Sequence, residues 1–372
     1  MTEEINLPAA EGKVAWLCTY IPEELIRAAG FLPYRPAVRA DVTDHKSGYL
    51  PGNLCPYVRS AAYQLLQTAD EDLSGVVVAN SCNAMMHLYN MLREESELPV
   101  FMLDLPRRRD ERARSYFSEC LANMADFLGD LGREIRASTL QKVMSEYQKT
   151  LQLLTEAAGG SSEDEDLWRV GFISDNFARR AFGQKRRKIN EKLRAHITGN
   201  EPAKIYPDLS TNKKFILTGA QPHPLMSEVI EENGGAVFHD HCQGYRYWRK
   251  RYDKLPFTAG KERIEAEKGE EKDNLAELLS LLADIYLQKP PCPRFYDFKK
   301  RQDFYEGLLQ SRQFEGVIFH NLNFCDFAHY DFLRLQEFFQ SRNLPVLNLA
   351  SELSSGDKGQ IRTRIEAFIE MV

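Results

Sequence analysis

Short, uninterrupted apolar segments recur along this chain, and each precedes a polar turn and an amphipathic helical pattern. In the first half they are VAWLCTY, GVVVAN and LPVFMLDLP, which begin at residues 14, 75 and 98. In the second half they are KFILTGA, AVFHDH, GVIFHNL and PVLNLAS, which begin at residues 214, 236, 316 and 345. Continuous apolar runs are typical of parallel strands that are covered on both faces. Strands alternating with helices in both halves predict two Rossmann-like, doubly wound α/β domains.

The two α/β halves are separated by a segment of different character. From about residue 108 to 200 the sequence has long helical patterns, such as STLQKVMSEYQKTLQLLTEAA from Ser138. A chain of 372 residues is also too long for one ordinary core. We therefore expect an N-terminal α/β domain at 1–200, which includes the helical segment, and a C-terminal α/β domain at 201–372. Their cleft is the expected place for a functional site.

Charge and the missing motifs exclude several classes of function. A formal charge of −6 and a pI near 5.9 argue against a general nucleic-acid binder. No apolar run approaches the roughly 18–20 residues that span a bilayer, and the acidic start MTEEINLPAAEGK is unlike a signal peptide. We expect a cytoplasmic protein without membrane contact. The Walker A and G-x-S-x-G motifs are absent, so the chain is not expected to bind ATP itself.

The cysteines are placed where α/β sheets bind ligands. Cys120 lies on a helical pattern and is expected in the core, whereas the other six follow strands or stand in turns. These six are Cys18, Cys55, Cys82, Cys242, Cys292 and Cys325. Disulfides are not expected in a cytoplasmic protein, and adjacent helix starts favour the thiolate form. Thiolates without histidine pairs favour an iron–sulfur cluster, although a zinc site remains an alternative.

Several segments, in order along nearly the whole chain, resemble one known family. They are CTYIPEELIRAAGFLPYR (18–35), NLCPYVRS (53–60), NSCNAMMHLYNML (80–92), EENGGAVFHDHCQGYR (231–246), YLQKPPCPR (286–294), GVIFHNLNFCD (316–326) and QIRTRIEAFIEMV (360–372). Each segment alone is a weak signal, but the ordered set is specific. The chain resembles the D-component family of 2-hydroxyacyl-CoA dehydratases, which includes the ATP-dependent benzoyl-CoA reductase subunits.

The resemblance implies a 4Fe–4S cluster between two Rossmann-like domains. Its ligands would be Cys55, Cys82 and Cys325, with one iron position left open. The implied partners are a homologous second subunit and an ATP-hydrolysing iron–sulfur activator, which supplies one low-potential electron. The implied reaction is radical dehydration or reduction of a CoA thioester, and neither a flavin nor a nicotinamide cofactor is predicted.

Two alternative functions stay open at this stage. One branch of the family forms homodimers with an 8Fe double-cubane cluster, which here would use Cys18, Cys242 and Cys292 as additional ligands. That branch would be expected to have a cysteine after strand KFILTG, where this chain has Ala220, so the alternative is weakened. The other alternative is a non-catalytic subunit that only relays the electron.

Charged residues near the cysteines are further candidates, each with a structural alternative. Glu23 and Glu24 are candidate acid–base residues, or they stabilise a helix start. Asp326 is a candidate beside the cluster, or it caps the next helix. Arg246 and Arg294 are candidate ligands of CoA phosphate, or they form salt bridges.

Overall fold

The structure is a computed structural model in which two separate four-stranded parallel sheets are each covered by helices. It describes residues 11–37, 50–67, 72–160, 164–173, 177, 186–198, 205–207, 209, 213–250, 252, 271–310 and 312–372. The prediction of two α/β units is confirmed. No helix within these ranges combines the length and the apolar character that crossing a bilayer requires. The predicted domain boundary at residue 200 lies outside the described residues.

Both sheets have the same strand order. The first has the order β2-β1-β3-β4, with β1 (Lys13–Leu17), β2 (Leu32–Tyr34), β3 (Leu73–Ala79) and β4 (Val100–Leu103). The second has the order β6-β5-β7-β8, with β5 (Lys213–Gly219), β6 (Gly235–Asp240), β7 (Gly316–Leu322) and β8 (Val346–Ser351). In each sheet the winding direction reverses between the first and third strands. Ligands of open α/β sheets bind at the carboxyl ends of the strands beside this reversal.

The helices follow the strands as the sequence pattern predicts. Those of the first half are α1 (Glu23–Ala28), α2 (Pro56–Gln67), α3 (Asn83–Glu95), α4 (Glu111–Leu131), α5 (Ala137–Ala157) and α6 (Arg186–Ile197). Those of the second half are α7 (Leu225–Glu232), α8 (Tyr245–Trp248), α9 (Glu271–Leu287), α10 (Phe298–Gln310), α11 (Asp326–Gln340) and α12 (Lys358–Met371). Helix α9 packs against α4 and α5, so a helix of the second half joins the helical layer of the first.

Strand β2 is a part of the fold that the sequence analysis missed. It has only three residues, Leu32–Tyr34, and Pro33 stands in its middle. It pairs with β1 alone and therefore lies at the edge of the sheet. Proline cannot donate a ladder hydrogen bond, but an edge strand tolerates it. A short segment interrupted by proline gives no strand signal of its own.

The two halves share apolar core at the carboxyl ends of their sheets. On one face of the first sheet, Leu17 and Val78 belong to a buried cluster with residues of α2 and α3. The same cluster contains Leu322, which ends β7, and Leu353, which follows β8. We call this group of side chains the interdomain cluster. It brings the turn after β7 against the turns that follow the strands of the first sheet.

Candidate cofactor site between the two sheets

The three cysteines predicted as ligands meet at the interdomain cluster. Cys55 is a buried member of it, and the half-buried Cys82 and Cys325 pack against it. Two of the three come from the first half of the chain, and the third follows a strand of the second sheet. Cysteines far apart in the sequence therefore pack in or against one apolar cluster at the carboxyl ends of both sheets.

Each of these cysteines stands at the start of a helix. Cys55 directly precedes α2, whereas Cys82 and Cys325 are the N-cap residues of α3 and α11. The backbone carbonyl of Cys82 accepts from the N–H of Met85 at 3.1 Å, and that of Cys325 accepts from Ala328 at 3.1 Å. The positive end of a helix favours a thiolate and so favours metal binding.

Burial opposes ionisation of the same thiols. Burial raises the pKa of Cys55 to about 11, and the neighbouring Cys82 raises it further. Burial also raises the pKa of Cys325, with Cys55 as the next cause. Three thiolates here would repel one another in a medium with little water, unless a cation stands between them. A positively charged, sulfur-binding group fits this set of donors, because it would compensate their charge.

The other three candidate cysteines interact electrostatically with the first three. Burial raises the pKa of Cys242 to about 11, and Cys292 and Cys18 contribute to the rise. Cys292 also raises the pKa of Cys82, and Cys242 raises that of Cys325. The six thiols are therefore linked electrostatically. Cys120 lies on α4, where it is buried in the core as predicted.

The described part of the chain has no group of three or more His, Cys, Asp or Glu side chains that could hold a metal ion. A single zinc ion needs ligand sulfurs roughly 2.3 Å from one centre. The thiolates of an iron–sulfur cluster bind different iron atoms and need not converge so closely.

An ion pair joins the two cysteine-bearing regions across the cleft. Arg59, on α2, meets Glu352 of the loop after β8 at 3.2 Å. The Nδ2 of Asn323, two residues before Cys325, donates to the other Glu352 oxygen at 3.3 Å. Sequence reasoning missed this contact, although Arg59 lies one helical turn after Cys55. The contact links the helix of Cys55 to the loop of Cys325.

Glu23 and Glu24 lie in the first turn of α1, as predicted, and both are buried. Glu23 accepts hydrogen bonds from Tyr147 at 3.0 Å and from Tyr247 at 2.6 Å. The carboxylate of Glu24 has three donors, which are Lys250 at 3.1 Å, Tyr286 at 2.6 Å and Tyr252. These contacts anchor α1 to α5 and to residues of the second half, and an acid–base role for the two carboxylates stays a prediction.

Replacing Glu24 with glutamine is expected to destabilise the fold by about 3 kcal/mol, because it leaves the Lys250 ammonium buried without its charge partner. Burial alone would raise the pKa of Glu24, but Lys250 and the tyrosine hydroxyls hold it below its ordinary value. The stabilisation by the Glu24–Lys250 ion pair is therefore complete above the ordinary pKa of a glutamate, and it is lost as the pH falls through the lowered pKa of Glu24. The measurement is the free energy of unfolding of the wild type and of Glu24→Gln in urea, at several pH values between neutral and acidic. If the stability difference between the two proteins were the same at all pH values, this would contradict the ion pair.

The two candidate arginines have internal partners. Arg246 donates from Nε and Nη2 to the two oxygens of Asp240, at 2.9 and 2.8 Å, which is the salt bridge given above as its alternative. Arg294 donates from Nη1 to the carbonyl of Pro106 and from Nη2 to that of Leu105, both at 2.8 Å. Both side chains are buried. A contact of either with CoA phosphate stays a prediction.

Asp326 is exposed and is the first residue of α11. The N-cap is Cys325, so the alternative interpretation of Asp326 as the cap is wrong by one residue. The carboxylate instead lies in the first helical turn, where the helix dipole favours negative charge. A role of Asp326 beside the cluster stays a prediction.

Comparison with known proteins identifies the family of this chain. The family model of the 2-hydroxyglutaryl-CoA dehydratase D-component matches residues 18–372. The (R)-phenyllactyl-CoA dehydratase beta subunit of Clostridium sporogenes is 23% identical over 94% of this chain and 89% of its own length.

Two further relatives have similar coverage. The beta subunit of (R)-2-hydroxyglutaryl-CoA dehydratase from Acidaminococcus fermentans is 22% identical over 97% of this chain and 93% of its own. A subunit of the benzoyl-CoA reductase of Thauera aromatica is 22% identical over 96% of this chain and 90% of its own. The match over nearly the whole length confirms the resemblance noted in the sequence. The chain belongs to the 2-hydroxyglutaryl-CoA dehydratase D-component family of dehydratase and reductase subunits.

Proposed function

We propose that this protein is the iron–sulfur subunit of an enzyme that dehydrates or reduces a CoA thioester. Cys55, Cys82 and Cys325 would hold a 4Fe–4S cluster. The main support for the proposal is that these three cysteines, which come from both halves of the chain, all lie in or against the interdomain cluster. Membership of a family of acyl-CoA dehydratase subunits supports the proposed substrate class.

When bound, the cluster would supply one-electron transfer and a Lewis-acidic iron for an oxygen of the thioester. The protein's own part is to hold three irons through thiolates and to leave the fourth accessible. The interdomain cluster keeps water from the side of the site where Leu322 and Leu353 pack. The contact of Arg59 with Glu352 keeps the loops of Cys55 and Cys325 together.

The proposed partners follow from the reaction and from the relatives. The sequence has no Walker A motif, so a separate ATP-hydrolysing iron–sulfur activator would deliver the low-potential electron. The relatives are named as single subunits of dehydratases or of a reductase, which supports a homologous second subunit. The substrate would be a 2-hydroxyacyl-CoA or an aromatic acyl-CoA thioester.

Protein purified without oxygen is expected to contain about 4 iron atoms and about 4 sulfides per chain. The measurement is a colorimetric iron and sulfide assay, combined with an electron paramagnetic resonance (EPR) spectrum of the dithionite-reduced protein. Iron-free protein after anaerobic reconstitution would refute the proposed function.

Cys18, Cys242 and Cys292 give specific support to one competing function, that of a double-cubane enzyme. Burial raises the pKa of both Cys18 and Cys242, and Cys292 raises both further, so the three thiols interact electrostatically, as neighbouring ligands of a double cubane would. A double-cubane homodimer would contain about 8 iron atoms per chain. The same assay on the Cys18→Ala variant separates the two functions. Unchanged iron in this variant supports the 4Fe–4S site, and loss of about half of 8 iron atoms supports the double cubane.

A further inference from the structure

Arg301 is a buried cation on α10 that meets three separate segments of the second half. Its Nε and Nη2 donate to the two oxygens of Asp331, on α11, at 2.8 and 2.7 Å. Its Nη1 donates to the carbonyl of Pro291 at 2.7 Å, and its Nη2 lies 3.6 Å from an oxygen of Asp240. Each of these three partners stands shortly before or after a candidate cysteine. In the same order, these cysteines are Cys325, Cys292 and Cys242.

The paired bonds to Asp331 fix the first turns of α11. Asp331 is buried and lies on the helix whose N-cap is Cys325. The carbonyl of Cys325 accepts from the N–H groups of Ala328 and His329 at 3.1 and 3.2 Å. Its own N–H donates to the carbonyl of Leu322, the last residue of β7, at 3.0 Å. Because these bonds hold the cysteine to the helix, a shift of α11 would move its thiol.

The segment that Arg301 holds at Pro291 is also bonded to the first half of the chain. We call residues 289–294, KPPCPR, the proline segment. At one end of it, Lys289 donates to the hydroxyl of Thr19, just after β1, at 2.8 Å. Its three prolines restrict the backbone between the two ends. The carbonyl that accepts from Arg301 therefore belongs to a segment with a defined position.

The other end of the proline segment reaches the turn of a second proposed ligand. Arg294 donates from Nη2 to the carbonyl of Asn80 at 3.4 Å. Asn80 directly follows β3 and stands two residues before Cys82. Arg301 is therefore linked through α11 to Cys325 and through the proline segment to the turn of Cys82. These two cysteines belong to different halves of the chain.

We propose that Arg301 is a positioning residue that sets the spacing of Cys325 and Cys82 in the cofactor site. This inference rests on the proposed iron–sulfur function. The planar guanidinium donates in fixed directions to Asp331 and to Pro291, so it holds their segments in one relative position. A buried ion pair often adds little net stability compared with apolar side chains, whereas its directed bonds specify geometry.

Asp331→Glu tests the spacing directly, because it keeps both charges of the pair and lengthens the side chain by one methylene. The close-packed interior resists the extra group, so α11 is expected to shift against α10. We expect a changed EPR signal of the dithionite-reduced, iron-loaded variant. We also expect about tenfold faster loss of iron to the chelator bathophenanthroline disulfonate, as is typical when a group that orients a metal ligand is altered. Both measurements use the isolated protein under anaerobic conditions and need no activity.

Arg301→Lys gives a second, independent test. Lysine keeps the positive charge, but a single ammonium cannot reproduce the paired bonds to Asp331 together with the bond to Pro291. The expected result is again a changed EPR signal and faster loss of iron to the same chelator.

Two controls separate position from stability. Leu140→Ala opens a cavity in the core beside α5, a helix that carries no cysteine, and is expected to destabilise the fold. Its EPR signal and its rate of iron loss are expected to equal those of the wild type. Asp303→Glu adds the same methylene to an exposed pair with Lys299 on α10, and it is also expected to change neither quantity.

A wild-type EPR signal with a wild-type rate of iron loss, in either folded variant of the Arg301–Asp331 pair, would overturn the inference. Loss of the folded state in both variants, measured by circular dichroism, would also overturn it, because Arg301 would then serve the fold alone. Equal changes in Leu140→Ala would overturn it as well, because they would report stability. A folded, iron-free variant beside a fully loaded Leu140→Ala would support it. Iron-free wild-type protein would instead refute the proposed function itself.

Discussion

Replacing Cys55, Cys82 or Cys325 with alanine is expected to abolish the iron–sulfur cluster. Each of these thiols borders the interdomain cluster and stands at the start of a helix. A cluster that already has an open iron position would keep only two protein ligands after such a substitution. We expect iron below one tenth of the wild-type content and loss of the EPR signal, measured on anaerobically reconstituted protein.

The matched control is Cys120→Ala. Cys120 is also buried, but it packs in the core on α4 and is not part of the interdomain cluster. This variant is expected to bind iron fully and to lose about 1 kcal/mol of stability, because the sulfur leaves a small cavity. Full iron content in any one of the three ligand variants would count against the assignment of that cysteine.

Replacing Asp240 with asparagine is expected to destabilise the fold by about 5 kcal/mol, at the upper end for a broken buried ion pair. The Asp240 side chain is fully buried and accepts two hydrogen bonds from Arg246 and one from Thr218 at 2.9 Å. Arg301 and the Tyr305 hydroxyl are further partners. An amide in this place turns an N–H₂ donor toward guanidinium groups, which are donors as well. Equilibrium unfolding in urea measures the loss.

The stabilisation of the fold by the Asp240 carboxylate is expected to weaken at low pH. Burial alone would raise the pKa of Asp240, but Arg246 and Arg301 hold it well below its ordinary value. The carboxylate therefore stabilises the fold fully above its ordinary pKa, and the effect fades as the pH falls through the lowered pKa. Asp303→Asn breaks an exposed pair with Lys299 and is expected to cost less than about 1 kcal/mol. Comparable losses of stability in Asp240→Asn and Asp303→Asn would contradict the buried hydrogen-bond network around Asp240.

The strands and the cysteine positions could be predicted because their signals are local. A run such as GVIFHNL is continuous and apolar, and Cys325 follows it within a few residues. Cys82 likewise follows GVVVAN before a helix. Because parallel strands end at one edge of a sheet, local signals were enough to place these thiols at the carboxyl ends of two sheets.

The contacts between the halves could not be predicted, because they join residues that are far apart in the sequence. Nothing near Arg59 indicates Glu352, and nothing near Thr19 indicates Lys289. The sequence also does not show that Arg246 meets a carboxylate whereas Arg294 meets only carbonyls. Both arginines follow a cysteine in a turn. The partner of Arg246 is a nearby residue of the same domain, whereas the carbonyls that Arg294 meets belong to the first half of the chain.

The central claim is that Cys55, Cys82 and Cys325 hold one common inorganic core. The most direct test is a crystal structure of anaerobically prepared protein, with anomalous diffraction recorded at the iron absorption edge. We expect one iron peak, several atoms in size, within bonding distance of these three sulfurs at the interdomain cluster. Iron bound elsewhere, or three sulfurs that do not share a cluster in iron-loaded crystals, would contradict the account.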